Sequence, residues 1–378
     1  MEPTVNQYQC PGCKADMAFD PDLGQLKCPY CGQSKAAPEV TATKLRSTLQ
    51  EHDLAAFIHT NRTQIAQLAT TAQEVNCPGC RATITFEPPD VAGKCPFCAT
   101  SVVTQKSHPA DPTLAPSALV PFSIGRKVAL NNLREWLAFR WDWKDLKAIF
   151  LPGKLKQLAQ SQALIGIYLP FWTYDTQTAS RYRGKRGEHY YRTETYTTTD
   201  ADGKQVRKTR EVRHTRWYSA SGQVSRFFDD VLVPATQAIE EKRLSQLWPS
   251  LNVSTLKPYS AEYLAGFQAQ RYEIPVKEGW ERAKSMMADT IRRDVRSDIG
   301  GDEQQIHSVS TNYSQETFKH VLLPLWMATY RYGGKTYQVM INAQTGTVMG
   351  ERPVAIWKVV LTVAIALIII ITIIALRS

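Results

Sequence analysis

Hydrophobic and polar positions along the chain fall into a few distinct patterns, each predicting a different element. Helical spacing runs from Arg126 to Arg140 through Val128, Leu130, Leu133, Trp136 and Leu137, and returns at Trp280, Ala283, Met287, Ile291 and Val295. Residues three or four apart share one helix face, so both stretches predict amphipathic helices. Looser helical spacing marks Ala42 to Ala72, with Leu45, Leu49, Leu54, Phe57, Ile58, Ile65 and Leu68. Thr193 to Thr199 and Val206 to Trp217 instead alternate, and Asp200-Ala-Asp-Gly203 between them is a turn signal. That combination predicts one long two-stranded hairpin. Val359 to Leu376 is an uncharged run of eighteen residues rich in Ile, Leu and Val. As a helix it would be about 27 Å long, which predicts a membrane span. Trp357 and Lys358 stand where an interfacial anchor belongs.

One pattern occurs twice. Leu169-Pro-Phe-Trp172-Thr-Tyr174 is echoed by Leu323-Pro-Leu-Trp326-Met-Ala-Thr-Tyr330, with Leu169, Pro170 and Trp172 mapping onto Leu323, Pro324 and Trp326 at an offset of 154. Each copy follows one of the helical patterns. The middle of the chain therefore predicts two helix-plus-antiparallel-sheet units, packed sheet to sheet or side by side. The tryptophans are expected in the core. In the second unit Tyr332-Gly-Gly-Lys335 and Asn342-Ala-Gln-Thr-Gly346 predict hairpin turns. A Pro-rich stretch, His108 to Pro116, predicts a linker ahead of both units.

The eight cysteines add a second duplication. Cys10, Cys13, Cys28 and Cys31 recur as Cys77, Cys80, Cys95 and Cys98, each shifted by 67. Each set is a Cys-x2-Cys knuckle, fourteen residues, and a second knuckle. Two such knuckles suit zinc, because each tight turn converges two thiolates on one ion and a hairpin brings the second pair to close the tetrahedron. With all four positions taken by protein, the two zinc ions are expected to be structural. A rubredoxin-like iron site uses the same ligands and is the main chemical alternative, with disulfides a further one. A ribbon of this size would fold only with its metal.

These patterns predict an α+β protein with two small four-cysteine zinc ribbons, a duplicated helix-plus-antiparallel-sheet domain and one C-terminal transmembrane helix. The boundaries run 1–38 and 75–104 for the ribbons, 39–74 for a helical spacer and 105–118 for the linker. The two α+β units take 119–235 and 236–352, and the anchor 353–378. A length of 378 residues accommodates such a series of domains.

Charge changes the picture at one place. The chain carries a formal +10, which points to an acidic partner without choosing between nucleic acid and an anionic membrane. Four thiolates on a divalent ion leave about −2 per ribbon, lowering the total to about +6. Most of the excess lies in residues 180–226, where twelve Lys or Arg face five Asp or Glu, a net of +7. The candidate contact residues are Arg181, Arg183, Lys185, Arg186, Arg192, Lys204, Arg207, Lys208, Arg210, Arg213 and Arg216, interleaved with Tyr182, Tyr190, Tyr191, Tyr196, Trp217 and Tyr218. They read as a finger for the phosphates of lipid or of nucleic acid, or as a solvated edge whose charges discourage aggregation.

Catalytic signatures are missing. Gly334-Lys335-Thr336 is not a phosphate loop, because Thr329 stands where that motif needs glycine. No His-Glu-x-x-His occurs, and Glu188-His189 is the one suggestive acid–base pair. A non-enzymatic protein is expected. Met1 to Asn6 lacks the basic and apolar pattern of a signal peptide. With the reduced cysteines and the positive flank at Arg352 and Lys358, this predicts a single-pass protein of the bacterial inner membrane with its N-terminal bulk in the cytoplasm.

The chain resembles a bacterial group of zinc-ribbon membrane proteins. The likeness rests on the Cys-Pro-x-Cys ribbons, Tyr-Leu-Pro-Phe-Trp-Thr-Tyr-Asp (168–175), Arg-Gly-Glu-His-Tyr-Tyr (186–191) and Asn-x-x-Thr-Gly-x-Val-x-Gly-Glu-Arg-Pro (342–353). Members are often labelled as similar to primosomal protein N-prime (replication factor Y), a superfamily II helicase. The resemblance carries over the zinc ligands, whereas the helicase motor has no counterpart in these residues. The expected function is a membrane-tethered adaptor facing the cytoplasm, binding a protein partner and, through the basic hairpin, anionic lipid. The alternative is a membrane-localised nucleic-acid binder without ATPase activity.

Overall fold

The architecture, a computed structural model, is described for residues 8–36, 51–59, 73–86, 92–103, 108–109, 114–137, 164–199, 203–332 and 335–351, with 368, 371, 372 and 375. Its frame is a set of long strands. β11 (Ile165–Thr199) and β12 (Gln205–Pro234) form one hairpin, and β15 (Glu303–Tyr332) and β16 (Lys335–Asn342) form another. β11 and β15 pair antiparallel at the centre. The short strands β10 (Ala118–Leu119), β13 (Lys257–Pro258), β14 (Gln268–Ala269) and β17 (Val348–Gly350) complete the sheet together with β4 (His52–Asp53).

Burial along β11 explains its sequence. From Gly166 to Thr176 every residue is buried, because helices, loops and ribbons cover both faces, and the stretch reads as a continuous apolar run. Beyond Gln177 only one face is covered, so Thr178, Ser180 and Tyr182 stay buried while Arg181, Arg183 and Lys185 are exposed. The covering element is α4 (Val276–Ile299). The shorter helices are α1 (Leu54–His59), α2 (Arg126–Leu137) and α3 (Glu241–Leu247).

α4 buries Trp280, Ala283, Met287, Ile291 and Val295. Large apolar side chains in such a stripe each contribute roughly 1.5–3 kcal/mol on burial. Its far end is tied to the sheet by Tyr182 Oη donating to Asp298 (2.6 Å) and by a bidentate Arg226–Asp294 pair (2.6 Å for each bond). The helix stops at Gly300, whose φ of 64° belongs to the left-handed region that glycine adopts without strain.

The duplication is visible as a local twofold. Leu169 pairs with Leu323, its own counterpart at an offset of 154, so the repeats meet about that point. β10 lies parallel to β15 through Ala118↔Val321, and β14 lies parallel to β11 through Ile167↔Gln268. Trp172 Nε1 donates to Ile274 O and Trp326 Nε1 to Ile124 O, both at 2.8 Å. The carbonyl of Ala235 receives the N–H groups of Glu273 and Ile274, and that of Ala343 receives those of Ser123 and Ile124. Every one of these contacts joins one repeat to the other.

Several expectations are corrected. The protein is mostly β-sheet rather than the expected α+β, and the two units share one continuous sheet instead of packing sheet to sheet or side by side. The physical reason is that the most apolar strand of each repeat finds its best partner in the other repeat. The expected transmembrane helix is not found: among the described residues no helix is long and apolar enough to cross a membrane. Of 353–378 only 368, 371, 372 and 375 are described, each helical. Most of the predicted spacer also lies outside the described residues. Its described part forms β4 and α1, with Leu54 fully buried beside β15. The expected linker is partly structural, since β9 (His108–Pro109) pairs with β5 (Gln73–Asn76) and Ala118 sits in the central sheet.

Candidate metal centres and the basic arm

Each cysteine set is built from two knuckles joined by short strands. In the first, β1 (Ala18–Asp20), β2 (Gln25–Lys27) and β3 (Ser34–Ala36) form a small sheet between and beyond the knuckles. The second uses β5, β6 (Thr83–Phe86), β7 (Ala92–Lys94) and β8 (Ser101–Val103). All four knuckles close alike: Lys14, Gly32, Arg81 and Ala99 donate their N–H to the carbonyls of Cys10, Cys28, Cys77 and Cys95. Those same four residues have positive φ, 62°, 77°, 65° and 59°. For the three that are not glycine this is strained backbone, held by the turn that aims both thiols inward.

The thiols converge. Within each set all four Sγ atoms lie within 4.8 Å of one another. Cys10–Cys31, Cys13–Cys28 and Cys77–Cys98 are 3.4 Å apart, and Cys80–Cys95 3.5 Å. A tetrahedral ion with metal–sulfur bonds of about 2.3 Å needs edges of about 3.8 Å, so both sets fit one metal ion each after small adjustment. None of the eight forms a disulfide. The N–H groups of Cys31 and Tyr30 hold the Cys28 thiol down to about 6 against the cost of burial. Against its own burial, hydrogen bonding with Thr100 lowers the Cys98 thiol to about 7.

Both ribbons are docked on the sheet. Phe19 N donates to Ala265 O (2.9 Å), and Thr83 N to Glu273 Oε1 (3.3 Å). The Phe97 carbonyl accepts from Thr329 Oγ1 (3.2 Å) and Gln338 Nε2 (2.5 Å). A groove of about 550 Å³ opens between the ribbons, lined by Met17, Thr83, Lys94, Phe97 and Gln270 among others.

The arm extends from the opposite end of the sheet. β15 accompanies β11 as far as Glu303↔Gly187, and from Glu188 to Thr199 only β12 continues beside it. Alternation divides the candidate basic residues between two faces, so they do not form the single surface expected from sequence. Arg181, Arg183, Lys185, Arg207 and Arg213 share the face opposite α4, while Arg186, Arg192, Lys208, Arg210 and Arg216 share the other. Lys204 precedes β12 at the tip.

The two faces differ in how their cations are satisfied. On the α4 side Arg210 is 3.3 Å from Glu194 and lies over Tyr196, Arg216 lies over Tyr190, and Arg186 is 3.0 Å from Glu188. On the opposite face Arg181, Arg183 and Lys185 are flanked in register by Gln223, Ser221 and Ser219 on β12 and by Ser310, Ser308 and Gln305 on β15. The Trp217 indole lies across Gly187, where any Cβ would meet its ring at about 3.0 Å. His189 pairs with Glu303 (2.7 Å), not with Glu188, and Thr215 Oγ1 also reaches Glu303 (3.3 Å).

Sequence reasoning missed one cluster, built around a buried lysine. Lys319 Nζ sits 3.1 Å from Glu51 and 3.0 Å from Asp230, with only 6% of its side chain exposed. Thr317 Oγ1 bridges Glu51 (2.5 Å) and Asp175 (3.5 Å), and Asp175 accepts the Asp230 N–H (2.5 Å). Burial, then the Glu51 carboxylate, push Asp175 up to about 7. The register breaks at Asp175 on both sides, and Asp230 has φ of 49°. Four residues so far apart in the chain leave no local signal. Nearby, burial keeps His320 neutral, down to about 4, with Nδ1 3.0 Å from Leu114 O.

The uncharacterized protein YdjG of Bacillus subtilis (strain 168) is 26% identical over 364 residues, covering 94% of this chain and 92% of that protein. No family model and no solved structure matches.

Proposed function

We propose that the protein is a non-enzymatic zinc-ribbon adaptor. Its ribbons present a rigid surface to a protein partner at one end of the sheet, and its arm meets an anionic surface at the cytoplasmic face of a bacterial membrane. The observation that carries this reading is the pair of convergent four-cysteine sets. Zinc held there would have four sulfur ligands and no position for water or substrate, so the metal stabilises a shape rather than activating a nucleophile.

Two further features support it. The ribbons are hydrogen-bonded to the sheet through Thr329 and Gln338 and to the segment before α4 through Ala265 and Glu273, so a partner bound to them is held in fixed relation to the arm. The arm runs on as a two-stranded ribbon past its third strand. Such a ribbon gains little from core burial, and its exposed aromatic and basic side chains suit contact.

Proximity labelling from the intact protein, compared with a Cys77→Ser/Cys80→Ser variant, tests the adaptor role. The expected result is a set of neighbouring proteins lost in the variant while the protein remains in place. An unchanged neighbour list would remove the ribbons from partner binding.

A further inference from the structure

We infer that the arm binds anionic phospholipid through one face only, the face opposite α4, and that Arg181, Arg183 and Lys185 are its principal contacts. The inference rests on the arm's part in the proposed function and narrows it to a surface.

Arg181, Arg183 and Lys185 alternate along β11 with the buried Tyr182 and the small Gly184, so their side chains leave the same side of the sheet about 6.7 Å apart. Among the described residues no acidic side chain pairs with them: their register partners are serines and glutamines on both neighbouring strands. Their charge is therefore not neutralised across the strands. Hydroxyl and amide groups beside them are donors that phosphate oxygens accept.

The companion face is different. There Arg186, Arg210 and Arg216 already have Glu188, Glu194 and the rings of Tyr196 and Tyr190 as partners. Toward the root of the arm that side is occupied by α4, which carries Asp294 and Asp298 against the sheet. Existing pairings make it the poorer side for an anion; on the favoured face Glu303 and Glu211 stand further out along the arm, opposite Gly187 and Thr193, and Glu303 is held by His189 and Thr215.

An exposed sheet face and the placement of its aromatic rings favour a bilayer over a nucleic-acid strand. Three neighbouring strands present Arg, Lys, Ser and Gln on an exposed sheet face, whereas proteins that track single strands do so in a groove. Along the same face stand Phe227, 55% exposed, the Trp217 indole over Gly187, and Tyr191, 64% exposed. Aromatic rings in line with Lys and Arg are what the lipid headgroup region accommodates.

Each Lys or Arg near an anionic leaflet contributes about 1 kcal/mol, so removing three should weaken binding about 100-fold. The test is co-sedimentation of the full-length, zinc-loaded protein with vesicles containing about a third phosphatidylglycerol, measured against neutral phosphatidylcholine vesicles. The difference between the two isolates the electrostatic part. Arg181→Gln/Arg183→Gln/Lys185→Gln should lose that difference about 100-fold, while Arg192→Gln/Lys208→Gln/Arg210→Gln, of equal net charge, should lose less than about tenfold. Equal losses in both would overturn the choice of face while leaving the arm as a lipid-binding element. Absence of any anionic preference in the parent protein would overturn both. A single-stranded oligonucleotide that displaces the protein from anionic vesicles at equal phosphate concentration would assign the face to nucleic acid instead.

Discussion

Replacing Lys319 by Met removes the ammonium that Glu51 and Asp230 contact at 3.1 and 3.0 Å, while nearly preserving side-chain volume. At an effective dielectric of about 20, each contact represents about 5 kcal/mol of gross attraction. Much of that is offset by the cost of burying the charges. After truncation the Asp230 side chain, only 9% exposed, is left without its Lys319 partner. Breaking a buried pair from one side costs about 3–5 kcal/mol, which is the expected loss at pH 8. Adding Asp230→Asn removes the stranded carboxyl group and should recover about 2 kcal/mol or more, since the two sites touch and their effects are coupled. Urea unfolding at fixed zinc, followed by circular dichroism and tryptophan fluorescence, measures both quantities. A loss below about 1 kcal/mol, or a double variant no more stable than Lys319→Met, would refute the cluster as a mutually dependent unit.

Other outcomes follow from the same geometry. Asp175 has a folded pKa of about 7, raised above its ordinary value, so its proton binds more tightly in the folded state. Its contribution is favourable at acid pH and is lost as pH rises through 7; Asp175→Asn should therefore match the parent near pH 4 and be more stable at pH 8, by at most about 4 kcal/mol. Trp172→Phe and Trp326→Phe each strand a carbonyl, Ile274 O or Ile124 O, and should cost about 1–3 kcal/mol apiece by denaturant titration. Gly187→Val should displace the Trp217 indole and change its fluorescence while leaving the core intact. A strong zinc chelator should abolish hydrogen-exchange protection in the ribbons before it affects β11 and β15.

Much of this architecture was legible in the chain. The shift of 67 between cysteine sets located both candidate metal sites, because ligand spacing is a local property. The hairpin of β11 and β12 was legible from alternation and from the turn signal in the sequence Asp200-Ala-Asp-Gly203. The shift of 154 announced the second duplication, but not that the repeats would pair strand to strand. Where β11 is covered on both faces, from Gly166 to Thr176, its apolar run has no period and cannot name its partner. The division of the basic residues could have been read: Arg181, Arg183 and Lys185 occupy odd positions, and Arg186 and Arg192 even ones. Counting net charge over the whole segment concealed it. The Lys319 cluster could not have been read, because Glu51, Asp175, Asp230 and Lys319 meet only through the folded sheet.

Closed structural metal centres are tested most directly by metal content combined with X-ray absorption at the metal edge of the purified protein. Two zinc ions per chain are expected, each with four sulfur neighbours at about 2.3 Å and no oxygen or nitrogen ligand. Iron in place of zinc, fewer than two ions per chain, or a shell of three sulfurs and one lighter atom would contradict closed structural zinc centres and, with them, the adaptor reading.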